Sequence, residues 1–133
     1  MSERPDIDGL FAFAFGDTPA MNDESLAQII AGRKIAAYAP LRDLGPGGEP
    51  MPVVGERYVI LDSQRLPGAV IEETEVFTCT ARDISDDFAR ECGAEDAALW
   101  RTRQIAFINR WGGWSDDLVM VCERFKLVEV LPR

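Results

Sequence analysis

Large and small apolar residues alternate near the N-terminus, where Phe11, Phe13 and Phe15 are separated by Ala12 and Ala14. A period of two is typical of an extended strand, in which alternate side chains project from the same face. We therefore predict a strand over this segment, with the three phenylalanine side chains facing the core.

A helical period follows this strand. Thr18 is a suitable N-cap, Pro19 suits the first helical position because no N–H is needed there, and Gly32 suits a left-handed residue after the last turn. The apolar stripe between them consists of Met21, Leu26, Ile29 and Ile30. These signals predict one amphipathic helix that ends just before Lys34.

Four later segments have the β-branched or alternating composition of strands. They are residues 34–41, 56–63, 68–79 and 118–130. The QRLPG sequence between the second and the third predicts a hairpin, and a shift in the phase of alternation predicts a bulge near Leu127. On the first of these strands, alternation predicts that Ile35 faces the core while Lys34 faces the other way.

The remaining segments predict a loop and two helices. Glycines and prolines over residues 45–52 cannot continue a strand, and no Gly-Lys-Ser/Thr follows them, so we predict a connector rather than a phosphate-binding loop. Residues 83–92 predict a short helix that begins with acidic side chains. Residues 94–111 predict a longer amphipathic helix.

Length and composition favour one small domain. The chain has 133 residues, 47% of them hydrophobic, which suits a single core. No apolar run approaches the roughly 18 residues that a membrane helix needs. The N-terminal segment also lacks the basic region and apolar core of a secretory signal. We therefore expect a soluble protein in the cytoplasm with no membrane partner.

The sequence contains no histidine, and its three cysteines, Cys79, Cys92 and Cys122, are irregularly spaced. This set suits neither a disulfide framework nor paired zinc knuckles, so we predict reduced thiols, no metal and no other cofactor. The absence of histidine removes the commonest general base. Any catalysis must rely on lysine, carboxylates, hydroxyls, thiols or bound water.

The formal net charge of −9 opposes non-specific attraction to phosphate backbones. We therefore expect weak binding to duplex DNA. The densest positive charge lies on the last predicted helix, at Arg101, Arg103 and Arg110, beside Trp100. An aromatic ring and guanidinium groups are typical of single-strand readers, but the pattern also suits a buried tryptophan on a helix with a solvated basic face.

Seven features occur in an order that resembles the ASCH domain, a small β-barrel related to the PUA fold. They are the FGD turn, the helix ending in G-x-K, VGERYVILD, IEETEV, DDFAREC, the W-R pair and VCERFKLVEV. The resemblance covers residues 11–129. It implies an α+β fold class, a PUA-like mixed β-barrel with flanking α-helices, in a single domain over residues 1–133.

The resemblance also implies a cleft for a nucleoside, a base or single-stranded RNA. Some members hydrolyse acetylated cytidine with a lysine, a threonine and a glutamate. Lys34 matches that lysine, but Ala37 replaces the threonine and Cys92 the glutamate, with Glu91 one residue away. Gln104 stands where close relatives tend to have histidine. The hydrolytic set is therefore expected to be incomplete.

We expect a binding module for a nucleoside, a nucleotide or short single-stranded RNA. The candidate ligand-binding residues are Lys34, Asp17, Trp100, Arg101 and Arg103. One alternative is an amidohydrolase or ribonuclease that uses Lys34, with Glu91 or Cys92 as further candidates. Another is a protein-interaction domain with a vestigial cleft. We expect Glu72, Glu75 and Glu123 to be solvated strand residues.

Overall fold

The computed structural model describes residues 6–7, 9–46, 48, 50–108 and 113–132. The predicted end of the last helix, with Arg110 and Trp111, lies outside these residues. Within them, no helix combines the length and the apolar character required to cross a membrane.

Three α-helices and six strands make up the fold of the described residues, with two short 3-10 helices. The helices are α1 (Pro19–Ile30), α2 (Asp86–Glu91) and α3 (Ala97–Ile108), and the 3-10 helices are Leu41–Asp43 and Ala81–Asp83. The strands are β1 (Asp6–Ile7), β2 (Leu10–Phe13), β3 (Ala36–Pro40), β4 (Arg57–Leu61), β5 (Pro67–Thr80) and β6 (Val119–Val130). This is a mixed α+β fold, and the predicted hairpin is the antiparallel pair β4–β5.

The strands form one sheet in the order β1-β2-β4-β5-β6-β3. The β2–β4 pair is parallel and the other pairs are antiparallel. Strands β1 and β3 lie at opposite edges, and no strand pairing in the described part of the chain joins them. The α+β class is therefore confirmed, whereas closure into a barrel is not.

The sheet curls so that strands far apart in its order come into contact. Phe15, just after β2, stacks on Phe125 of β6 with ring centroids 6.0 Å apart, although β4 and β5 separate these two strands. Phe11, Phe13 and Phe15 pack against a core cluster that includes Leu26 of α1. The predicted aromatic face of the first strand is thus part of the core.

A second core cluster lies between the sheet and the helices α2 and α3. It includes Phe88 of α2, Trp100 of α3, Ala36 of β3, and Met120 and Cys122 of β6. Successive residues of β3 and β6 belong to different clusters, because their side chains alternate between the two faces. Ala37 and Phe125, for example, belong to the α1 cluster.

Helix α1 has the predicted ends. The Thr18 side chain accepts a hydrogen bond from the backbone N–H of Met21 (3.2 Å), and Gly32 adopts a left-handed φ of 78° just after the helix. The predicted apolar stripe is only half correct, however. Leu26 and Ile29 are buried, but Met21 and Ile30 are exposed, because the helix contacts the sheet along a narrower face than the pattern suggested.

The long β5–β6 pair is interrupted twice. Val70 pairs with Glu129 and Ile71 with Leu127, so Val128 is an extra residue on β6, and the predicted bulge near Leu127 is confirmed. The second irregularity was not predicted. On β5, Glu73 pairs with Phe125 and Glu75 with Arg124, which leaves Thr74 as the extra residue.

Candidate functional site

Lys34 lies at the centre of the candidate site, between α1 and β3, with only 7% of its surface exposed. Its ammonium Nζ donates to the backbone carbonyls of Cys92 (2.8 Å) and Ala36 (3.1 Å). It also lies 5.0 Å from the centroid of the Phe15 ring, a distance suited to a cation–π contact. Lys34 is therefore a buried lysine held by backbone carbonyls and not a surface lysine.

The prediction that Ile35 faces the core is wrong. Ile35 is exposed, whereas Lys34 on one side of it and Ala36 on the other are buried. The reason is that β3 begins only at Ala36. Before that point the chain is held by its backbone, since the N–H of Ile35 donates to the carbonyl of Glu91.

Burial lowers the pKa of Lys34 because desolvation penalises the ammonium form. Negative charge at Cys92 and Glu123 would act in the opposite direction. Glu123 of β6 is near Lys34 because it lies directly opposite Ala37 of β3. Ala37 is three residues after Lys34 in the sequence. A lysine with a lowered pKa close to a carboxylate is the kind of perturbed pair that clusters at functional sites.

Glu73 is the most deeply buried acidic residue of the site, with 1% of its surface exposed. Desolvation is the main reason why the pKa of Glu73 rises to about 9, and the nearby Glu123 and Glu56 raise it further. At neutral pH the carboxyl group is therefore protonated. The carboxyl group lies close to Glu123, but neither of its oxygens has a hydrogen-bond partner among the described residues.

Sequence reasoning missed Glu73 and treated its neighbours as solvated. Glu72 does face outward, where it pairs with Arg57 (2.9 Å) and Lys126 (3.5 Å). Glu75 is also exposed, whereas Glu123 is half-buried, contrary to expectation. The available signal was alternation, because Glu73 is two residues after the apolar Ile71 and so shares its face.

Tyr58 completes the group of polar side chains. It is buried, and its pKa is raised first by desolvation and then by the negative charges of Glu56, Glu73 and Glu123. We refer to five residues together as the Lys34 cluster. They are Phe15, Lys34, Tyr58, Glu73 and Glu123.

Glu91, a candidate base, is already engaged. Its carboxylate accepts from Nε of Arg124 at 3.1 and 3.2 Å and from Nη2 at 3.0 Å, and the same arginine also pairs with Glu75. The Arg124 guanidinium lies over the rings of Phe77 (5.2 Å) and Phe88 (5.4 Å). A carboxylate held in this way stabilises the junction of α2 with the sheet and is poorly placed to accept a substrate proton.

Cys92, the other catalytic candidate, is the C-cap residue of α2. Burial is the main reason why its thiol pKa rises to about 12, and the nearby Lys34 only partly offsets the shift. Since the thiolate is the nucleophilic form, this side chain is a weak nucleophile. What Cys92 contributes to the Lys34 cluster is its backbone carbonyl.

We therefore expect Cys92 to react slowly with iodoacetamide at pH 8 in the folded protein. Its thiolate fraction should be lower than that of an unfolded cysteine by at least roughly a hundredfold. Peptide mapping by mass spectrometry, with the protein in guanidinium as the reference, measures the ratio of the two rates. Labelling as fast in the folded state as in the unfolded state would restore Cys92 as a nucleophile candidate.

Comparison with known proteins identifies the family. The family model described as the ASCH domain matches residues 11–129. The chain belongs to the ASCH domain family. Domains of this family are generally PUA-like modules that bind RNA.

Solved structures agree with this assignment. Protein EF3133 from Enterococcus faecalis V583 is similar with a TM-score of 0.82 and 25% identity, covering 96% of this chain and 86% of that one. The ASCH domain from Lactobacillus crispatus JV V101 has a TM-score of 0.79 and 26% identity, covering 89% and 80%. The ASCH protein from Zymomonas mobilis, with a TM-score of 0.52 and 10% identity over 81% and 66%, shares the fold. No curated protein matches significantly.

In this ASCH domain, Ala37 is the residue that the sequence resemblance aligns with the threonine of the hydrolytic motif. It is buried in the α1 cluster and lies directly opposite Glu123. A hydroxyl there would be close to the carboxylates of the Lys34 cluster, but alanine supplies none. The described cluster thus combines an ammonium, a carboxyl, a carboxylate and a phenol with no activated nucleophile.

The other predicted ligand-binding residues are dispersed. Asp17 is exposed on the turn before α1. Trp100 has only 2% of its surface exposed and packs against Tyr38 and Trp114, so its ring is a core element and is not presented to a base. Arg101 is half-buried and Arg103 is exposed on α3.

Proposed function

We propose that this ASCH domain binds a nucleoside, a nucleotide or short single-stranded RNA, and that the base binds at Phe15 and Glu123, the partly exposed members of the Lys34 cluster. The observation that carries the proposal is the burial of Lys34 and Glu73 in one polar group beside Phe15. Buried ionisable groups are costly, and folded proteins retain them mainly where they serve a site. The domain architecture supports the same class of ligand, because PUA-like modules generally bind RNA.

The chemistry of the cluster is complementary to a nucleobase. Base edges present both hydrogen-bond donors and acceptors, and their faces stack on aromatic rings. The ammonium of Lys34 donates, the carboxylate of Glu123 accepts, and a protonated Glu73 can do both. Phe15, which is half-buried, supplies aromatic surface.

The phosphate groups of such a ligand require cations, which are scarce in a chain of net charge −9. Arg101 and Arg103 on α3 are the proposed contacts, since Arg103 is exposed and Arg101 is half-buried. The proposal includes weak affinity for duplex DNA, because duplex binding depends on many cations that displace counterions. It also includes the cytoplasmic location that the sequence predicts.

Binding rather than hydrolysis is proposed because, of the three hydrolytic positions, only the lysine is retained. Glu91 is held by Arg124, Cys92 has a raised thiol pKa of about 12, and Ala37 has no hydroxyl. Lys34 can stabilise negative charge on an oxygen, but amide hydrolysis also needs a base and a nucleophile. A lysine of lowered pKa is the one observation that favours catalysis.

Substitution of Lys34 by methionine should weaken the binding of cytidine, its monophosphate or a short single strand by about 1 to 3 kcal/mol, the usual range for a charge-assisted hydrogen bond. Isothermal titration calorimetry would measure the change, at a temperature where circular dichroism shows the variant to be folded. Arg33→Met is the matched control, since it removes the same charge from the adjacent, exposed position.

Two results would overturn the proposal. One is that neither nucleosides nor single strands bind the wild type at millimolar concentration. The other is that Lys34→Met and Arg33→Met have equal effects. Chromatography of the same mixtures with acetylated cytidine would detect product, and turnover of roughly 1 per second or more would replace binding with hydrolysis as the function.

A further inference from the structure

Two thiols approach each other on the side of the sheet opposite the Lys34 cluster. The sulfur atoms of Cys79 on β5 and Cys122 on β6 are 3.7 Å apart. Cys79 pairs in register with Met120, and Cys122 pairs with Phe77, so the two cysteines are diagonal neighbours on one face. Their proximity was not predicted, because the sequence separates them by 43 positions.

The two thiols differ in access to solvent. Cys122 is fully buried, whereas Cys79 is half-buried and lines a surface pocket of about 250 Å³. The walls of this pocket include Phe77, Phe88 and the Arg124 guanidinium. A small molecule can therefore reach Cys79 but not Cys122. Burial and the neighbouring Cys79 also raise the pKa of Cys122, which further disfavours its direct reaction.

We propose that Cys79 and Cys122 form a modification site at which a hydroperoxide produces a reversible disulfide cross-link between β5 and β6. The site lies on the other face of the sheet and goes beyond the proposed function. It rests on the 3.7 Å sulfur separation together with the pocket that opens onto Cys79.

The chemistry proceeds in two balanced steps. The Cys79 sulfur attacks one oxygen of hydrogen peroxide, the O–O bond breaks, and Cys79 sulfenic acid forms while the other oxygen leaves as water. The Cys122 sulfur then attacks the Cys79 sulfur, the S–O bond breaks, and the hydroxyl leaves as a second water with the Cys122 proton. Two thiols and one peroxide thus give one disulfide and two waters, and two electrons pass from sulfur to oxygen.

The cross-link should be easily reduced. Diagonal positions on antiparallel strands are about 7 to 8 Å apart, longer than the Cα separation of an unstrained disulfide, so the backbones of β5 and β6 must shift towards each other for the bond to form. A strained disulfide is readily opened by a low-molecular-weight thiol. The bond would form next to Glu123, which directly follows Cys122, so this modification adjoins the strand segment that contributes to the Lys34 cluster.

The test is oxidation of the folded full-length protein with hydrogen peroxide, followed by thiol titration and intact mass measurement. We expect two of the three thiols to be lost, a mass lower by two hydrogen atoms, and full recovery with dithiothreitol. Peptide mapping should show a Cys79–Cys122 link. Cys92→Ser is the matched control and should behave like the wild type, while Cys79→Ser should abolish the cross-link.

Cys122→Ser should leave Cys79 as a sulfenic acid that dimedone traps. Three outcomes would overturn the proposal: no thiol loss in the wild type, addition of oxygen without a cross-link, or a cross-link that needs Cys92. Because peptide mapping of the wild type identifies the link directly, the result does not depend on either serine variant folding.

Discussion

Replacing Trp100 with alanine should lower the free energy of unfolding by about 3 to 5 kcal/mol, the range for removing a large aromatic side chain from a core. The Trp100 ring is 2% exposed and packs edge-on against Tyr38 at 5.2 Å and against Trp114 at 6.2 Å. Its removal would leave a cavity between α3 and the sheet. Urea unfolding followed by circular dichroism measures this change.

The same variant separates the two interpretations of Trp100 that the sequence allowed. A base-stacking tryptophan would lose ligand affinity on substitution but would cost little stability, since its ring would be exposed in the free protein. A core tryptophan instead costs much stability on substitution and has little direct effect on ligand affinity. Leu66→Ala serves as the control for truncation of an exposed apolar residue, because Leu66 is 54% exposed. Equal losses of stability in the two variants would contradict the core assignment.

Local sequence signals were sufficient for most of the elements. The N-cap at Thr18, the left-handed Gly32 and the hairpin between β4 and β5 each depend on residues that are close in the chain. Alternation of Phe11, Phe13 and Phe15 likewise located a core-facing strand. These features were predicted correctly because their energetics are decided within a few residues.

The environment of Lys34 could not be predicted in the same way. One of its hydrogen-bond acceptors is the carbonyl of Cys92, 58 residues later in the chain, and its ring contact comes from Phe15. The β3–β6 pair that brings Glu123 near also joins distant segments. Simple alternation therefore placed Ile35 in the core, whereas long-range contacts bury Lys34 instead.

Glu73 shows a second limit of local reasoning. Glu73 shares the core face of Ile71, and the bulge at Thr74 then breaks the alternation of β5, so that Glu75 is exposed instead of facing the core. A run of four polar residues, EETE, is typical of a solvated strand because glutamate is rarely buried. Alternation from Ile71 was the one sequence signal for Glu73, and the pairing with β6 is what shows that this alternation stops at Thr74.

Replacing Glu73 with glutamine should stabilise the protein, and the gain should grow with pH. The folded-state pKa of Glu73 is about 9, above the value near 4.5 expected in the unfolded chain. Between these values the folded protein retains a proton that the unfolded chain has released. The contribution of the carboxyl to stability is thus fully present below about pH 4.5 and is lost as pH rises towards 9.

Glutamine removes this dependence because it does not ionise. Its amide group is also neutral, like the protonated carboxyl of Glu73, so it adds no negative charge next to Glu123. Each pH unit within the window corresponds to roughly 1.4 kcal/mol for one proton, so the advantage of Glu73→Gln over the wild type should increase by about 2 to 3 kcal/mol between pH 5.5 and pH 7.5. Urea unfolding of both proteins at several pH values measures the difference.

The neighbouring Glu72→Gln variant is the matched control. Glu72 is on the same strand but faces outward, and hydrogen bonding from Arg57 lowers its pKa instead of raising it. Its replacement should therefore give no gain that increases over the same pH range. Parallel curves of unfolding free energy against pH for Glu73→Gln and the wild type would show that Glu73 is ionised in the folded protein. The conclusion that the Lys34 cluster contains a protonated carboxyl would then be wrong.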